Sequence, residues 1–376
     1  MTTSGFEPPA RLGMDVSDVD TPALLIDLDA FEHNLDALDA LVAGSRARVR
    51  AHAKPHKCPE IARLQVARGA VGICCQKVSE AEVFARAGLR DILVTNQIVG
   101  SAKLARLARL GQSGTIGVCV DDAANVADLD RAAGEAGVAL SVLVEVDVGG
   151  HRCGVTPGAA AIALAAQVAG SPHLRFGGLQ AYHGRAQHVR SHADRRAAAR
   201  AVRSALEDTL AGLEARGLGP PVITGSGTGT IEFDAADGLY TELQPGSYIF
   251  MDADYGRNLD EHGAPVGTFL QSLFVLTTVM SRAQAGQAVV DAGLKAHSVD
   301  SGMPLVAGVP GAAYTRASDE HGVIEFEGTV SLSLGAQVRL IPGHCDPTVN
   351  LHDWLIGVRG GRVEAVWPVS ARGAVT

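Results

Sequence analysis

From about residue 30 to residue 245 the chain alternates short β-branched segments with Ala-, Leu- and Arg-rich segments of helical spacing. Strands that alternate with helices in this way form βαβ units and a parallel sheet. Seven or eight such units favour a closed (β/α)₈ barrel over an open doubly wound sheet. No GxGxxG run follows the first strand, which argues against a dinucleotide-binding sheet. The predicted strands are RVRAHA, AVGICCQ, DILVTN, TIGVCVD, LSVLVEVD, FGGLQAYH and PVITG.

The pattern changes after about residue 260, where apolar runs are separated by Gly, Asp and Ser turns without a long helical period. This texture predicts a β domain. We therefore expect a (β/α)₈ barrel over residues 28–262 and a β domain over residues 263–376. An apolar run near residue 25 predicts one further strand, and we expect this strand of segment 1–27 to join the β domain.

The composition excludes several classes of function. A formal net charge of −9 and a pI near 5.8 argue against nucleic acid as the main partner, because phosphate binding needs a basic surface. The six cysteines show no CxxC spacing, so reduced thiols are expected rather than disulfides. No apolar run approaches the roughly 20 residues that span a bilayer, and the N-terminus has no secretory pattern. We expect a soluble, cytoplasmic enzyme.

The run VRAHAKPHK ends the first predicted barrel strand with five basic side chains. Alternation along a strand places Arg50, His52 and Lys54 on one face, and Pro55 ends the strand directly afterwards. Lys54 is thus expected on the inward face at the catalytic end of the barrel, where desolvation lowers a lysine's pKa and suits it to attack carbonyl groups. Lys57, beyond the proline, is expected to face solvent. A solvated loop lysine remains the alternative for Lys54.

A second run, VITGSGTGT at 222–230, is a strand that enters a glycine-rich turn. Successive backbone N–H groups in such a turn form an anion-binding nest, and late strands of (β/α)₈ barrels often carry a phosphate site there. The run lacks the lysine of a P-loop, and an ordinary tight turn remains the alternative. A phosphate site combined with an inward lysine indicates pyridoxal phosphate.

A third run, PGHCDPTVNLHD at 342–353, follows a predicted strand of the β domain. His344 and Asp346, two residues apart, can present an imidazole and a carboxylate to one ion. An imidazole with a carboxylate suits Mn, Mg or Zn better than an imidazole with the thiolate of Cys345 suits a hard metal. Two candidate ligands alone are a weak indication of a metal site. The alternative is that His344 and Asp346 are surface residues that bind no metal.

Together these runs resemble the metal-activated, fold-type III pyridoxal-phosphate enzymes, which share an alanine-racemase-like barrel. The group contains D-threonine aldolases, 3-hydroxy-D-aspartate aldolases and eukaryotic-type D-serine dehydratases. The resemblance covers residues 19–372 and looks closest to the 3-hydroxy-D-aspartate aldolases. The runs that carry it are DTPALLIDLDAFEHNL, RAHAKPHK, GICCQKVSEAE, VTNQIV, GHRCGV, ITGSGTGT, LQPGSYIFMDADYG, VVDAGLKAHSVDSG and PGHCDPTVNLHDW.

The resemblance implies a role for each matching residue. Lys54 matches the Schiff-base lysine, His344 and Asp346 match the metal pair, and Tyr182 and His188 match a polar pair near the substrate, with His188 as the base. Arg50, His52 and His56 would then form a positive mouth for anionic ligands. The positions that match cofactor-binding residues are Lys54, Gln76, Arg152, Tyr182, Gly227, Thr228, Gly229, Gly246, Ser247 and Tyr255.

The resemblance also implies an activity. It is the retro-aldol cleavage of a D-configured β-hydroxy-α-amino acid, 3-hydroxy-D-aspartate to glycine and glyoxylate, with pyridoxal 5′-phosphate and a divalent metal (Mn, Mg or Co before Zn). D-serine dehydratases carry cysteine two residues after the histidine, whereas this chain has Asp346, which favours an aldolase. The alternatives are a D-threonine aldolase, a dehydratase of D-serine or 3-hydroxyaspartate, and a non-catalytic cofactor carrier. A homodimer is expected by resemblance alone.

Overall fold

A computed structural model describes residues 7–328 and 332–376 of the chain. It contains two sheets of nine strands each. The first strand along the chain, β1 (Ala23–Asp27), belongs to the mostly antiparallel sheet. The parallel sheet contains β2 (Arg48–Val49), β3 (Ala51–His52), β4 (Ile73–Cys75), β5 (Asp91–Gln97), β6 (Thr115–Val120), β7 (Leu140–Glu145), β8 (Leu174–Ala181), β9 (Ile223–Gly225) and β10 (Glu242–Leu243).

The parallel sheet closes on itself because β2 and β3 are halves of one strand interrupted at Arg50. β2 pairs with β10, whereas β3 pairs with β4 at the other end of the sheet. The backbone N–H groups of Arg50 and His52 extend the first of these ladders by donating to Leu243 and Pro245, each at 2.9 Å. The predicted alanine-racemase-like (β/α)₈ barrel is confirmed, and β2 and β3 together count as one of its eight strands.

Helices alternate with the barrel strands and begin at the caps that the sequence provides. Asp27, Asp122 and Ser191 accept backbone N–H groups at the first turns of three helices, which satisfies donors that a helix leaves free. Apolar faces then pack on the barrel, as Leu104 and Leu107 do. The helices are α1 (Leu28–Val42), α2 (Pro59–Ala67), α3 (Val78–Arg86), α4 (Ser101–Leu110), α5 (Ala123–Ala136), α6 (Ala159–Gly170), α7 (His192–Glu214), α8 (Ile231–Asp237) and α9 (Cys345–Val349).

The second sheet takes all but one of its strands from the chain after residue 272. β1 lies inside it, antiparallel to β11 and parallel to β17. Its remaining strands are β11 (Leu273–Ser281), β12 (Gln287–Val290), β13 (Leu305–Ala307), β14 (Ala312–Ala317), β15 (Gly322–Phe326), β16 (Gln337–Ile341), β17 (Trp354–Arg359) and β18 (Arg362–Pro368). A mostly-strand C-terminal region therefore follows the barrel. The exact boundaries, residues 28–262 and 263–376, stay a prediction.

In the described part of the chain, none of the helices is long and apolar enough to cross a membrane.

Candidate active site

A cavity lies at the carboxyl ends of the barrel strands, where catalytic residues of such barrels sit. Lys54 reaches it from just beyond β3, Gln76 from beyond β4 and Tyr182 from beyond β8, so three separate strands converge on one space. The cavity is lined by His52, Lys54, Pro55, Gln76, Thr95, Arg152, Gln180, Tyr182, Gly227, Thr228, Gln244, Gly246, Ser247 and Tyr255.

Lys54 points into this cavity, and its Nζ lies 2.7 Å from Oδ2 of Asp346. The charge of Asp346 raises the pKa of Lys54 above its ordinary value. The expected lowering of this pKa is therefore wrong for the cofactor-free chain, because strand alternation gave no sign that a carboxylate of the C-terminal region would meet the ammonium. Burial alone would raise the pKa of Asp346, but the charges of Lys54 and His344 lower it to about 2.

Lys57 does not face solvent, in contrast to the prediction. It is 7% exposed, and its Nζ lies 2.5 Å from Oε1 of Glu80. The chain turns back after Pro55, with Lys57 at φ 50° and its N–H bonded to the carbonyl of Ala53. The other oxygen of Glu80 accepts the N–H of Gln76 at 2.8 Å. The ion pair thus ties the loop that follows Lys54 to the turn that presents Gln76.

Arg50 and His56 do not belong to the mouth of the barrel, which corrects the predicted positive cluster. Arg50 bonds Asp91 at 2.6 Å and Glu242 at 2.7 Å, and these carboxylates begin β5 and β10. Arg50 is on the same face as Lys54 but four residues earlier along the strand, so it lies about 13 Å deeper in the barrel at a rise of about 3.3 Å per residue. His56 is fully buried, and burial lowers its pKa to about 3. His52 does line the cavity, but burial likewise lowers its pKa to about 3.

One end of the cavity is formed by two turns of small residues. Gly227 and Thr228 come from the turn after β9, and Gly246 and Ser247 come from the turn after β10. Oγ1 of Thr228 accepts the N–H of Tyr248 at 2.9 Å, which joins the two turns. A Cβ atom at Gly246 would lie 3.0 Å from Cγ of Pro55. A side chain at Gly246 would therefore crowd Pro55 in the wall of the cavity, and glycine leaves the backbone N–H groups of the turn accessible, as a phosphate cradle requires.

Gly229, the last glycine of the predicted phosphate turn, faces away from this cavity. Its N–H donates to Oε1 of Gln187 at 3.0 Å, and it lines a separate cavity with Met251 and Phe269. Gln187 is almost fully buried and also donates to Oγ1 of Thr230. Gln187 thus supports the turn from behind, a role that the sequence pattern did not indicate.

Arg152 lies beside the phenol ring of Tyr182, with Cζ 5.6 Å from the ring centroid. Its Nη2 is 3.9 Å from Oε1 of Glu145, and Glu145 in turn accepts a hydrogen bond from Gln97 at 2.6 Å. Burial raises the pKa of Glu145. Arg152 and Lys54 are the cationic side chains that line the described cavity. An anionic ligand in the cavity would therefore meet positive charge from these two residues.

His188 lies beside the cavity rather than in its lining. Its ring packs on the ring of Tyr255 at a centroid distance of 5.0 Å, and Tyr255 lines the cavity. Nδ1 of His188 is 2.5 Å from Oδ2 of Asp254. Sequence reasoning missed Asp254, although it lies in the run MDADYG that carries part of the resemblance.

The predicted metal pair meets at the start of α9. Nε2 of His344 lies 4.0 Å from Oδ2 of Asp346, while Nδ1 of His344 lies 2.8 Å from Oδ2 of Asp300. A carboxylate at one ring nitrogen leaves the other free to bind an ion. Burial raises the pKa of the Cys345 thiol well above its usual value, so this residue stays protonated. Within residues 7–328 and 332–376, no group of three or more His, Cys, Asp or Glu side chains is arranged to hold a metal.

The cavity fits pyridoxal phosphate in the chemistry of its donors. An inward lysine lies at one side, and at the other end Gly227, Thr228, Gly246 and Ser247 form a cradle of small residues and hydroxyl groups. His344 and Asp346 supply one nitrogen and one oxygen donor beside Lys54, and water or substrate would complete an ion's coordination. The residues present therefore fit both groups.

Two domain families match the chain. The alanine racemase N-terminal domain matches residues 26–254, and a serine dehydratase domain matches residues 272–358. The first covers most of the barrel and the second covers much of the C-terminal sheet.

Individual relatives match nearly the full length. A 3-hydroxy-D-aspartate aldolase from Paracoccus denitrificans (strain Pd 1222) is 50% identical over 373 residues, which is 98% of this chain and 96% of the relative. A D-threonine aldolase from Arthrobacter sp. is 50% identical over 367 residues, 97% of this chain and 96% of the relative. The crystal structure of D-threonine aldolase from Filomicrobium marinum has a TM-score of 0.96 at 50% identity and covers 99% of this chain and 100% of that one.

Proposed function

The chain belongs to the alanine-racemase-like, fold-type III family of pyridoxal-phosphate enzymes, and from this premise we propose that it is an aldolase of D-configured β-hydroxy-α-amino acids. Two relatives at 50% identity over nearly the whole chain carry the names of such aldolases. The observation that carries the proposal is the contact of 2.7 Å between Lys54 and Asp346, because it brings a candidate metal ligand to the amine of the candidate cofactor lysine.

Each residue of the site supports one part of the chemistry. Pyridoxal phosphate, held through Lys54, supplies an electron-withdrawing ring that makes bonds to the substrate Cα labile. Gly227, Thr228, Gly246 and Ser247 would hold its phosphate through backbone N–H groups and hydroxyls. Arg152 offers a cation for its phenolic oxygen or for a substrate carboxylate.

The metal is part of the proposal. His344 and Asp346 would hold a divalent ion, Mn, Mg or Co before Zn, beside the amine of Lys54. Such an ion lowers the pKa of a bound hydroxyl group, and His188, beside the cavity, is our candidate to accept the hydroxyl proton. A carboxylate at position 346, rather than a thiolate, favours a hard ion.

We propose 3-hydroxy-D-aspartate as the substrate, with glycine and glyoxylate as products. D-threonine, which would give acetaldehyde, is the second candidate, because the Arthrobacter and Filomicrobium relatives are named D-threonine aldolases. A dehydratase is the third, because a D-threo-3-hydroxyaspartate dehydratase from Delftia sp. (strain HT23) is 30% identical over 358 residues. We also propose a cytoplasmic homodimer, and sedimentation of the purified chain tests the dimer.

Product analysis tests these proposals. The purified chain is incubated with pyridoxal phosphate, Mn²⁺ and either substrate, and glycine, the aldehyde, ammonia and the 2-oxo acid are measured. Glycine with a larger kcat/KM for 3-hydroxy-D-aspartate is expected. A larger value for D-threonine would reassign the substrate, and ammonia with a 2-oxo acid would replace the aldolase with a dehydratase.

Metal dependence is tested with EDTA and with one variant pair. His344→Ala should retain cofactor absorbance but lose bound Mn and glycine formation, whereas His33→Ala, on the exposed side of α1, should match the unmodified chain. Glycine formation that EDTA leaves unchanged would contradict the metal assignment without removing the aldolase.

A further inference from the structure

The side chain of Asp254 meets three cationic or ionisable partners at the edge of the cavity. We propose that Asp254 is a positioning residue that fixes His188 with its proton on Nδ1, which leaves Nε2 free to accept the proton of the substrate hydroxyl. This inference rests on the proposed function, since it gives His188 its role in aldol cleavage.

The contacts of Asp254 divide between its two oxygens. Oδ2 lies 2.5 Å from Nδ1 of His188. Oδ1 accepts hydrogen bonds from Nη2 of Arg257, at 2.7 Å, and from Nη2 of Arg190. Asp254 is only 7% exposed, so little water competes for these bonds. Oδ1 is thus bonded to the two arginines, and Oδ2 is bonded to the imidazole.

The charges around Asp254 determine which group carries the proton. Burial opposes ionisation, but the hydrogen bond from Arg190 and the charges of His188, Arg190 and Arg257 lower the pKa of Asp254 below its usual value. An ionised carboxylate can only accept hydrogen bonds, so Nδ1 must donate. A neutral imidazole that donates from Nδ1 keeps an unprotonated Nε2.

The backbone on both sides of this contact is held in place. Nη1 of Arg190 donates to the carbonyl of Asp254 at 2.7 Å, and the N–H of Leu259 donates to the carbonyl of Arg190 at 2.9 Å. Nδ2 of Asn258 donates to the carbonyl of Gln187 at 2.9 Å. The segment that carries His188 is therefore tied to the segment that carries Asp254, and the ring orientation follows from both.

The ring of His188 also has a fixed relation to the cavity. It packs on Tyr255 at a centroid distance of 5.0 Å, and Tyr255 lines the cavity. The side chain of His188 is 43% exposed, so one edge remains open. Among the described residues, Asp254 contacts Nδ1 directly, Arg190 and Arg257 lie behind it as the partners of Asp254, and Tyr255 packs on the ring.

The proton balance of the step is simple. As the Cα–Cβ bond breaks, its electron pair stays on Cα, where the electron-withdrawing ring of the cofactor would stabilise it until Cα takes up a proton to give glycine. The hydroxyl proton passes to Nε2 of His188, and the O–H electron pair forms the second carbon–oxygen bond of the aldehyde. The imidazolium that forms keeps its Nδ1–H bond to ionised Asp254, which stabilises the new positive charge. Asp254 itself gains no proton.

Asp254→Asn tests this assignment because it is nearly isosteric and removes the charge that selects the tautomer. With ¹⁵N-histidine labelling, the cofactor-free chain should show His188 as the Nδ1–H tautomer, with the resonance assigned by its loss in His188→Asn. In Asp254→Asn the resonance should move toward the Nε2–H tautomer. In the loaded enzyme kcat should fall roughly 10²-fold, with KM changed less than about threefold, and Asp254→Glu should restore part of kcat.

A matched control is a second carboxylate–histidine pair outside the barrel mouth. Nδ1 of His173 lies 3.4 Å from Oδ1 of Asp130, and Asp130→Asn should leave both kcat and the His188 resonance unchanged. An Nε2–H tautomer of His188 in the unmodified chain, or an Asp254→Asn variant with unchanged tautomer or unchanged kcat, would overturn the inference. An unmodified chain that forms no glycine would instead overturn the proposed function, since the tautomer is measured without cofactor.

Discussion

Lys54 and Asp346 form an ion pair, with 2.7 Å between Nζ and Oδ2, although 291 residues lie between them in the sequence. Lys54 comes from the end of a barrel strand and Asp346 from the first turn of α9. The pair therefore joins the barrel to the C-terminal region at the cavity. It also favours the charged form of the amine, because the charge of Asp346 raises the pKa of Lys54.

Lys54→Ala should remove covalent cofactor attachment, because no other lysine lines the described cavity. Incubation with pyridoxal phosphate should give no visible band of a lysine-bound cofactor. Borohydride reduction and peptide mass spectrometry should find no adduct on the variant, and one on the Lys54 peptide of the unmodified chain. The control is Lys103→Ala, which replaces an exposed lysine of α4 and should retain the band and the adduct. A visible band retained in Lys54→Ala would remove this lysine from its role.

Gly227→Ala should weaken cofactor binding by distorting the phosphate cradle. A Cβ atom there would lie 2.6 Å from Oε1 of buried Gln187, which is closer than van der Waals contact, so the turn must shift. We expect an increase of at least about tenfold in the dissociation constant, or about 1.4 kcal/mol, measured by absorbance titration. Gly170→Ala, which would meet nothing within 4 Å, should bind normally, and equal affinity in both variants would contradict the cradle.

Glu242→Gln should destabilise the fold without touching the cavity. Arg50 bonds Glu242 twice, at 2.7 and 3.0 Å, and its side chain is 10% exposed. Removal of one partner of a buried charge lowers the free energy of unfolding by about 3–5 kcal/mol. Arg50 keeps its contact with Asp91, so we expect a loss near the lower end of this range. Urea unfolding of the cofactor-free chain measures it. Glu320→Gln removes an exposed partner of Lys295 and should leave the unfolding free energy unchanged.

Asp234 should make stability fall as the pH rises. Burial raises its pKa to about 6 from an unfolded value of 3.8, so the folded chain holds this proton more tightly. The destabilisation is absent below about pH 4, grows between pH 4 and 6, and is complete above pH 6. Asp234→Asn keeps an acceptor for Oγ1 of Thr230 and should gain up to about 3 kcal/mol relative to the unmodified chain over this range.

Urea unfolding at several pH values measures the Asp234 effect. Asp208→Asn removes an exposed carboxylate of α7 and should show no comparable pH-dependent difference. If the gain of Asp234→Asn were the same at pH 4 and pH 7, burial of an ionised carboxylate could not be its cause.

Much of the barrel could be predicted because its signals are local. Alternating strands and helices indicate βαβ units, and alternation along RVRAHAK correctly placed Lys54 and His52 on the inward face. Alternation also placed Arg50 on this face, but it does not determine the depth of a side chain along the barrel, so the expected position of Arg50 at the mouth was wrong. β10, with only two residues, was too short to give a pattern, and the predicted strands did not include it.

The sequence by itself predicted the barrel from local patterns of strands and helices, and it singled out the candidate lysine and the candidate metal pair through local spacing together with the family resemblance. Only the tertiary structure decided that Lys57 turns inward to Glu80, that His56 is buried and that Asp254 meets His188. It also decided that Lys54 carries a raised pKa, through a carboxylate from a distant segment. These outcomes depend on which charges folding brings within a few ångströms of each other, and Coulomb interactions respond to that distance rather than to separation along the chain.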